Sequence, residues 1–79
     1  MTREEIMKQL NEVFCEVFDD EDIRITETTT ANDIEDWDSL MHISLVNAVE
    51  MAFDVRFEMK DIVKWKNVGE MVDVIEREI

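Results

Sequence analysis

The chain has no proline, one glycine (Gly69) and one cysteine (Cys15) in 79 residues. With so few breakers, long helices are favoured over a turn-rich β architecture. A lone cysteine excludes an intramolecular disulfide and a cysteine-cluster metal site, so no metal centre is expected. Read as a small packed side chain, it needs no redox role. No apolar run is long enough to span a bilayer, and Met1-Thr2-Arg3-Glu4-Glu5 lacks a signal-peptide pattern. A soluble, cytoplasmic protein without membrane insertion is the expectation. Positive charge is scarce: eight Lys and Arg stand against 21 Asp and Glu, a formal net charge of -13. Nucleic-acid binding needs clustered cations, so no such partner is expected. The imbalance favours a protein partner with a basic docking surface, attracted over distances that salt shortens.

What is present suits one small helical domain spanning 1–79. The hydrophobic fraction is 46%, enough to argue against disorder despite the charge. Thr2 with Glu5 three residues later reads as a capping box. Behind it Ile6, Leu10, Val13, Phe14, Val17 and Phe18 form one helical stripe ending near Phe18. A second helix is predicted from Ser39, or one residue earlier, to about Phe53, with Val46, Val49, Phe53 and Leu45 inward. Its other side shows Met41, Ser44, Asn47, Ala48 and Met51, a face with adaptable methionines and few charges. A short third helix is predicted over Glu58 to Trp65, with Ile62 and Trp65 inward and Arg56, Lys60, Lys64 and Lys66 as a basic flank. Asn67 and Glu70 cap a last helix with Val68, Met71, Val72 and Ile75 buried. The expected fold is all-α: a small four-helix bundle of three long helices and one short one, with a long first loop.

That loop, from Asp19 to Asp38, loses the helical period and holds nine of the 21 acidic residues. Ile23, Ile25 and Ile34 are its apolar pegs, and Ile34 to Trp37 reads as one turn. A connection of about twenty residues in a small domain points to function or mobility. Its carboxylates lack both the spacing and the glycine of a calcium-binding loop, so only weak cation binding is expected.

The loop delivers Asp36-Trp37-Asp38-Ser39-Leu40 to the start of the second helix. A serine there exposes its hydroxyl over the positive end of a helix dipole, where an anion is favoured. Ser39 and His42 are three residues apart on one helix, a spacing at which a hydrolase pair approaches. Hydrolysis also needs a group orienting the imidazole, an oxyanion hole and a dry cleft, and nothing in the sequence suggests these. A catalytic role is therefore not expected.

The run Asp33-Ile34-Glu35-Asp36-Trp37-Asp38-Ser39-Leu40 at a loop-to-helix junction resembles the attachment site of acyl carrier proteins. The resemblance covers nearly the whole chain in helix order and loop length. It implies a non-catalytic carrier whose Ser39 bears 4'-phosphopantetheine derived from coenzyme A, with an acyl group held on the arm as a thioester. Asp38 resembles the aspartate that arranges metal and phosphate during loading. Leu40, Met41, Ile43, Asn47 and Met51 fall where the family meets its partners, and Ile62 and Trp65 where it walls its cargo pocket. The implied partners are a phosphopantetheinyl transferase, an acyl-loading ligase or acyltransferase, and a ketosynthase or other acyl-using enzyme, each met by a monomer. Asp36 stands where the common Gly-x-Asp-Ser-Leu pattern has glycine, and Trp37 matches a Trp-Asp-Ser-Leu subgroup of free-standing carriers. With Ser44, Met51 and Ala52 where fatty-acid carriers usually have carboxylates, specialised lipid or polyketide-type synthesis is favoured over housekeeping fatty acid synthesis. Two alternatives stay open: an aminoacyl or peptidyl carrier, and an unmodified acidic interaction module in which Ser39 is only a helix cap.

Overall fold

Each long helix begins on a side chain that satisfies backbone donors the helix cannot satisfy itself. Thr2 Oγ1 accepts from Glu5 N at 3.1 Å and Glu5 Oε1 accepts from Thr2 N at 2.9 Å, the expected capping box. The computed structural model, which describes residues 1–63 and 65–79, has four helices in order. They are α1 (Arg3–Val17), α2 (Ser39–Phe53), α3 (Met59–Ile62) and α4 (Val68–Glu78), with no strand among the described residues. The architecture is the expected all-α one.

A 15-residue helix is marginal alone, so packing must hold these elements. Ile6, Leu10 and Phe14 of α1 meet Leu45 and Val49 of α2 and Val68, Met71, Val72 and Ile75 of α4 in one core. Each such side chain contributes about 1.5–3 kcal/mol when fully buried, enough to outweigh weak local propensity. α1 is the central element, packing against both α2 and α4.

The long loop is a series of short turns pinned at two ends. Asn11 of α1 donates to Ile23 O at 3.1 Å and accepts from Ile25 N at 2.7 Å. On the other side Val68 N and Gly69 N of α4 donate to Thr29 O at 2.9 Å and Glu27 O at 2.8 Å. The single glycine stands where this approach is closest, since a Cβ on Gly69 would lie 2.9 Å from Glu27 O. Arg3 ties the same corner, bonding Glu27 at 2.6 Å and Asp73 at 2.8 Å and also reaching Glu76. Ile23, Ile25 and Ile34 are half-buried against the core, as the apolar pegs were expected to be. With glycine used at that contact, the left-handed backbone positions at Asp19 (φ 50°) and Asp54 (φ 54°) fall to aspartate.

The third helix differs from expectation. It spans Met59–Ile62 rather than Glu58 to Trp65, and Trp65 lies in the connection to α4. Its buried residue is Asp61, while Ile62 is half-buried. Arg77 of α4 donates to Asp61 Oδ2 at 3.0 Å, and this ion pair turns a charged position inward. Lys64, read as part of a basic flank, lies outside the described residues. The last cap also differs in detail. Asn67 Oδ1 accepts from Glu70 N at 3.0 Å, but Glu70 Oε2 takes the N–H of Lys66, at 2.5 Å, rather than that of Asn67.

Candidate functional site

The end of the loop is built to hold Ser39 at a helix start. Trp37 N donates to Ile34 O at 3.1 Å, closing the expected turn, and Asp38 N donates to Asp36 O at 3.1 Å. The turn is thus made without the glycine of the related pattern. Asp38 then takes extended backbone geometry, and its Oδ1 accepts from Met41 N at 2.8 Å. Asp38, not Ser39, therefore caps α2.

That choice leaves the Ser39 side chain free. Ser39 is the first residue of α2, exposed, and its hydroxyl has no hydrogen bond among the described residues. The N–H groups of Ser39 and Leu40 lie in the unpaired first turn, available to solvent or to an anion. The first turn of α2 contains no carboxylate, so the positive helix end is not neutralised from within. Ser44, the other serine of the chain, is exposed on the helix interior rather than its end.

Two aromatic side chains bracket Ser39. Trp37 Nε1 donates to His42 Nδ1 at 3.0 Å, with the rings inclined by 19°. Trp37 also packs edge-on against Phe14 in the core, with ring centroids 5.3 Å apart. His42 is therefore a half-buried structural residue whose Nδ1 is already an acceptor. The indole is a donor only and does not play the part that a carboxylate plays beside a hydrolytic imidazole.

Beside Ser39 lies a pocket of about 270 Å³, lined in part by Trp37, His42, Trp65, Lys66 and Met71. Trp65 is held edge-on between His42 and Phe57, at centroid distances of 5.9 and 5.0 Å. Its Nε1 is buried and has no hydrogen-bond partner among the described residues. Such a group ordinarily costs about 1–3 kcal/mol if nothing pairs with it. Ile62 is not part of the lining.

The outer surface of α2 is rearranged from expectation. Met41 and Ala48 are half-buried and pack on the core. The exposed apolar side chains are Leu40 (74%), Ile43 (61%) and Met51 (84%), joined by exposed Asn47 and Ser44. Ile43 is exposed, whereas Met41 and Ala48, expected on the outer side, are partly turned onto the core. Met59 and Val63, at and just after α3, are exposed too. The described residues contain no cluster of metal-ligating side chains, and no described helix is long and apolar enough to cross a membrane.

Comparison with known proteins shows the family to which this site belongs. The family model described as "Phosphopantetheine attachment site" matches residues 8–75, and the chain belongs to that family. It is of the acyl carrier kind. A solved structure to which it is similar is the solution NMR structure of holo acyl carrier protein from Geobacter metallireducens. The two are 37% identical, with a TM-score of 0.87, over 92% of this chain and 84% of that one. No curated protein matches. The cofactor is accordingly a covalently attached 4'-phosphopantetheine. Carriers of this family are not themselves catalysts, and they meet phosphopantetheinyl transferases and acyl-using enzymes.

Proposed function

We propose that residues 1–79 form one carrier domain in which Ser39 bears 4'-phosphopantetheine, whose terminal thiol holds an acyl group as a thioester. The observation that carries this reading is the division of labour at α2. Asp38 caps the helix, which frees the Ser39 hydroxyl for esterification without loss of the cap. Once esterified, the phosphate lies at the unpaired N–H groups of the first turn, where the helix field favours it. The Trp37–His42 bond holds the chain on both sides of Ser39, so the hydroxyl is presented from a fixed frame.

Asp38 has a second role in this reading. Only one of its oxygens is engaged with Met41 N, which leaves the other for a divalent cation brought in during loading. Leu40, Ile43, Asn47 and Met51 form the surface offered to partner enzymes, with Met41 supporting it from below. An apolar strip within a net charge of -13 suits brief encounters steered by charge and closed by a small apolar contact. The partners are a phosphopantetheinyl transferase, an acyl-loading ligase or acyltransferase, and a ketosynthase or similar enzyme. The scarcity of carboxylates on α2 favours specialised lipid or polyketide-type synthesis in the cytoplasm.

The test is incubation with coenzyme A and a promiscuous phosphopantetheinyl transferase, followed by intact mass. Native chain and Ser44→Ala should each gain one phosphopantetheine, and Ser39→Ala none. Addition to Ser39→Ala, or none to a folded native chain that fails beside a loaded control carrier, overturns the proposal.

A further inference from the structure

The acid of the chain does not lie on the helix that starts at Ser39. Across all of α2 the one carboxylate is Glu50, whose Oε2 accepts from Phe57 N at 2.9 Å. Acidic side chains gather instead around an open groove of about 820 Å³ between α1 and the start of the long loop. Met7, Cys15 and Ile25 give this groove a half-buried apolar floor, and Met7 and Ile25 pack on the core beneath. Glu12, Glu16, Asp19, Asp20 and Glu21 stand exposed along it. Two cations, Lys8 and Arg24, also line it. Arg24 is folded onto its own backbone, donating to Glu21 O at 2.9 Å and Ile23 O at 2.7 Å.

These carboxylates are placed against local stability. α1 ends at Val17 with no basic residue in its last turn, and Glu16, Asp19, Asp20 and Glu21 lie in or just after that turn. Negative charge is unfavourable at that end of a helix dipole and favourable at the other. Acid anywhere on the surface would serve solubility equally well. A local rule broken without compensation inside the chain points to compensation from outside it. We propose that the groove docks a basic amphipathic helix of a partner protein. Its apolar side chains lie on Met7, Cys15 and Ile25, and its Lys or Arg side chains meet the carboxylates. From Met7 to Glu16, α1 runs about 14 Å at 1.5 Å per residue, so roughly two to three turns of a helix laid alongside cover it. The groove shares no residue with the pocket beside Ser39 or with the outer face of α2. One protein can therefore hold the chain at α1 while another works on the arm. The docking itself does not depend on Ser39; only this simultaneous use rests on the attachment reading.

The test adds a helical peptide of about twelve residues, leucine on one face and lysine on the other, to the ¹⁵N-labelled full chain. A second peptide keeps the lysines and has glutamine for leucine. With the first peptide, amide shifts should centre on residues 7–25 and leave α2 unmoved. The leucine-free peptide should bind about tenfold or more weakly, because the apolar floor then stays uncovered. Glu16→Gln with Glu21→Gln should weaken the leucine peptide about three- to tenfold. Glu4→Gln with Glu35→Gln, the same charge loss outside the groove, should weaken it less than about twofold. The groove pair should also melt higher than the outside pair, since it relieves the end of α1. No shift at about 1 mM peptide, shifts centred on α2, equal binding of both peptides, or equal weakening by both pairs overturns the proposal. So does a groove pair that melts lower than the outside pair, which would make these carboxylates structural. With the peptide saturating, a phosphopantetheinyl transferase should load the chain at an unchanged rate, and blocked loading overturns the simultaneous use. A chain that takes no arm without peptide overturns the attachment reading instead and leaves the docking result standing.

Discussion

Trp37 and His42 are joined across Ser39: the indole N–H of the residue two before it donates at 3.0 Å to the imidazole of the residue three after it. The rings stack within 19° of parallel, and Trp37 is anchored in turn on Phe14. The loop end and the first turn of α2 are thereby one unit. Replacing Trp37 with phenylalanine keeps a ring on Phe14 but removes the donor. The expected cost is about 0.5–1.5 kcal/mol by urea denaturation, the net worth of one hydrogen bond. The ring nitrogens of His42 should change tautomer balance in a ¹H–¹⁵N spectrum; an unaltered spectrum would show that the bond does not set the ring.

Asp38 and Ser39 separate capping from attachment. Asp38→Ala loses the cap on Met41 N and should destabilise by about 1 kcal/mol, within the usual 0.5–2 kcal/mol range. Ser39→Ala leaves the cap in place and should fall within about 0.5 kcal/mol of the native chain. Thermal melts of both variants check the order. A Ser39→Ala loss as large as that of Asp38→Ala would mean the serine is a structural cap after all.

Gly69 sets two effects against each other. Alanine is the better helix former by about 1 kcal/mol. Its Cβ, however, would lie 2.9 Å from a backbone oxygen, Glu27 O, which is also the acceptor for Gly69 N. Because backbone cannot turn aside as a flexible side chain does, Gly69→Ala is expected to be net destabilising, by about 1–2 kcal/mol. Amide exchange should locate the loss at Glu27 to Thr29 and the start of α4.

The Arg3 corner gives an acid-dependent stability. The hydrogen bond from Arg3 holds the Glu27 carboxyl below its ordinary value of 4.5, partly opposed by desolvation. A depressed folded-state value means stabilisation that is present above about pH 4.5 and lost as the pH falls through the folded-state value. Glu27→Gln should therefore melt below the native chain at neutral pH, with the gap closing in acid. Comparing the two chains at each pH removes the general relief of charge repulsion on protonation. A gap that widens in acid would contradict the assignment.

Much of this was legible in sequence wherever one helix face decides the structure. Ile6, Leu10, Val13 and Phe14 repeat at helical spacing, and α1 and α2 follow almost to the residue. α3 was not legible in the same way. Its buried residue, Asp61, is met by Arg77, sixteen positions away, and no local pattern announces a buried aspartate. The site divided similarly. Ser39 at a helix start reads directly from Asp38-Ser39-Leu40. The Trp37–His42 bond spans five residues, which is neither a helix nor a strand spacing, and the packing of Trp65 against Phe57 and His42 brings together residues far apart in the chain. Lys66 reads in sequence as basic flank, yet it lines the pocket beside Ser39.

The most direct test of the central claim is to locate the modification within the loaded chain by fragmentation mass spectrometry. The phosphopantetheine should be carried by fragments containing Ser39 and absent from those containing only Ser44, the remaining serine. Its appearance on Ser44, or on a threonine of the loop, would contradict the account.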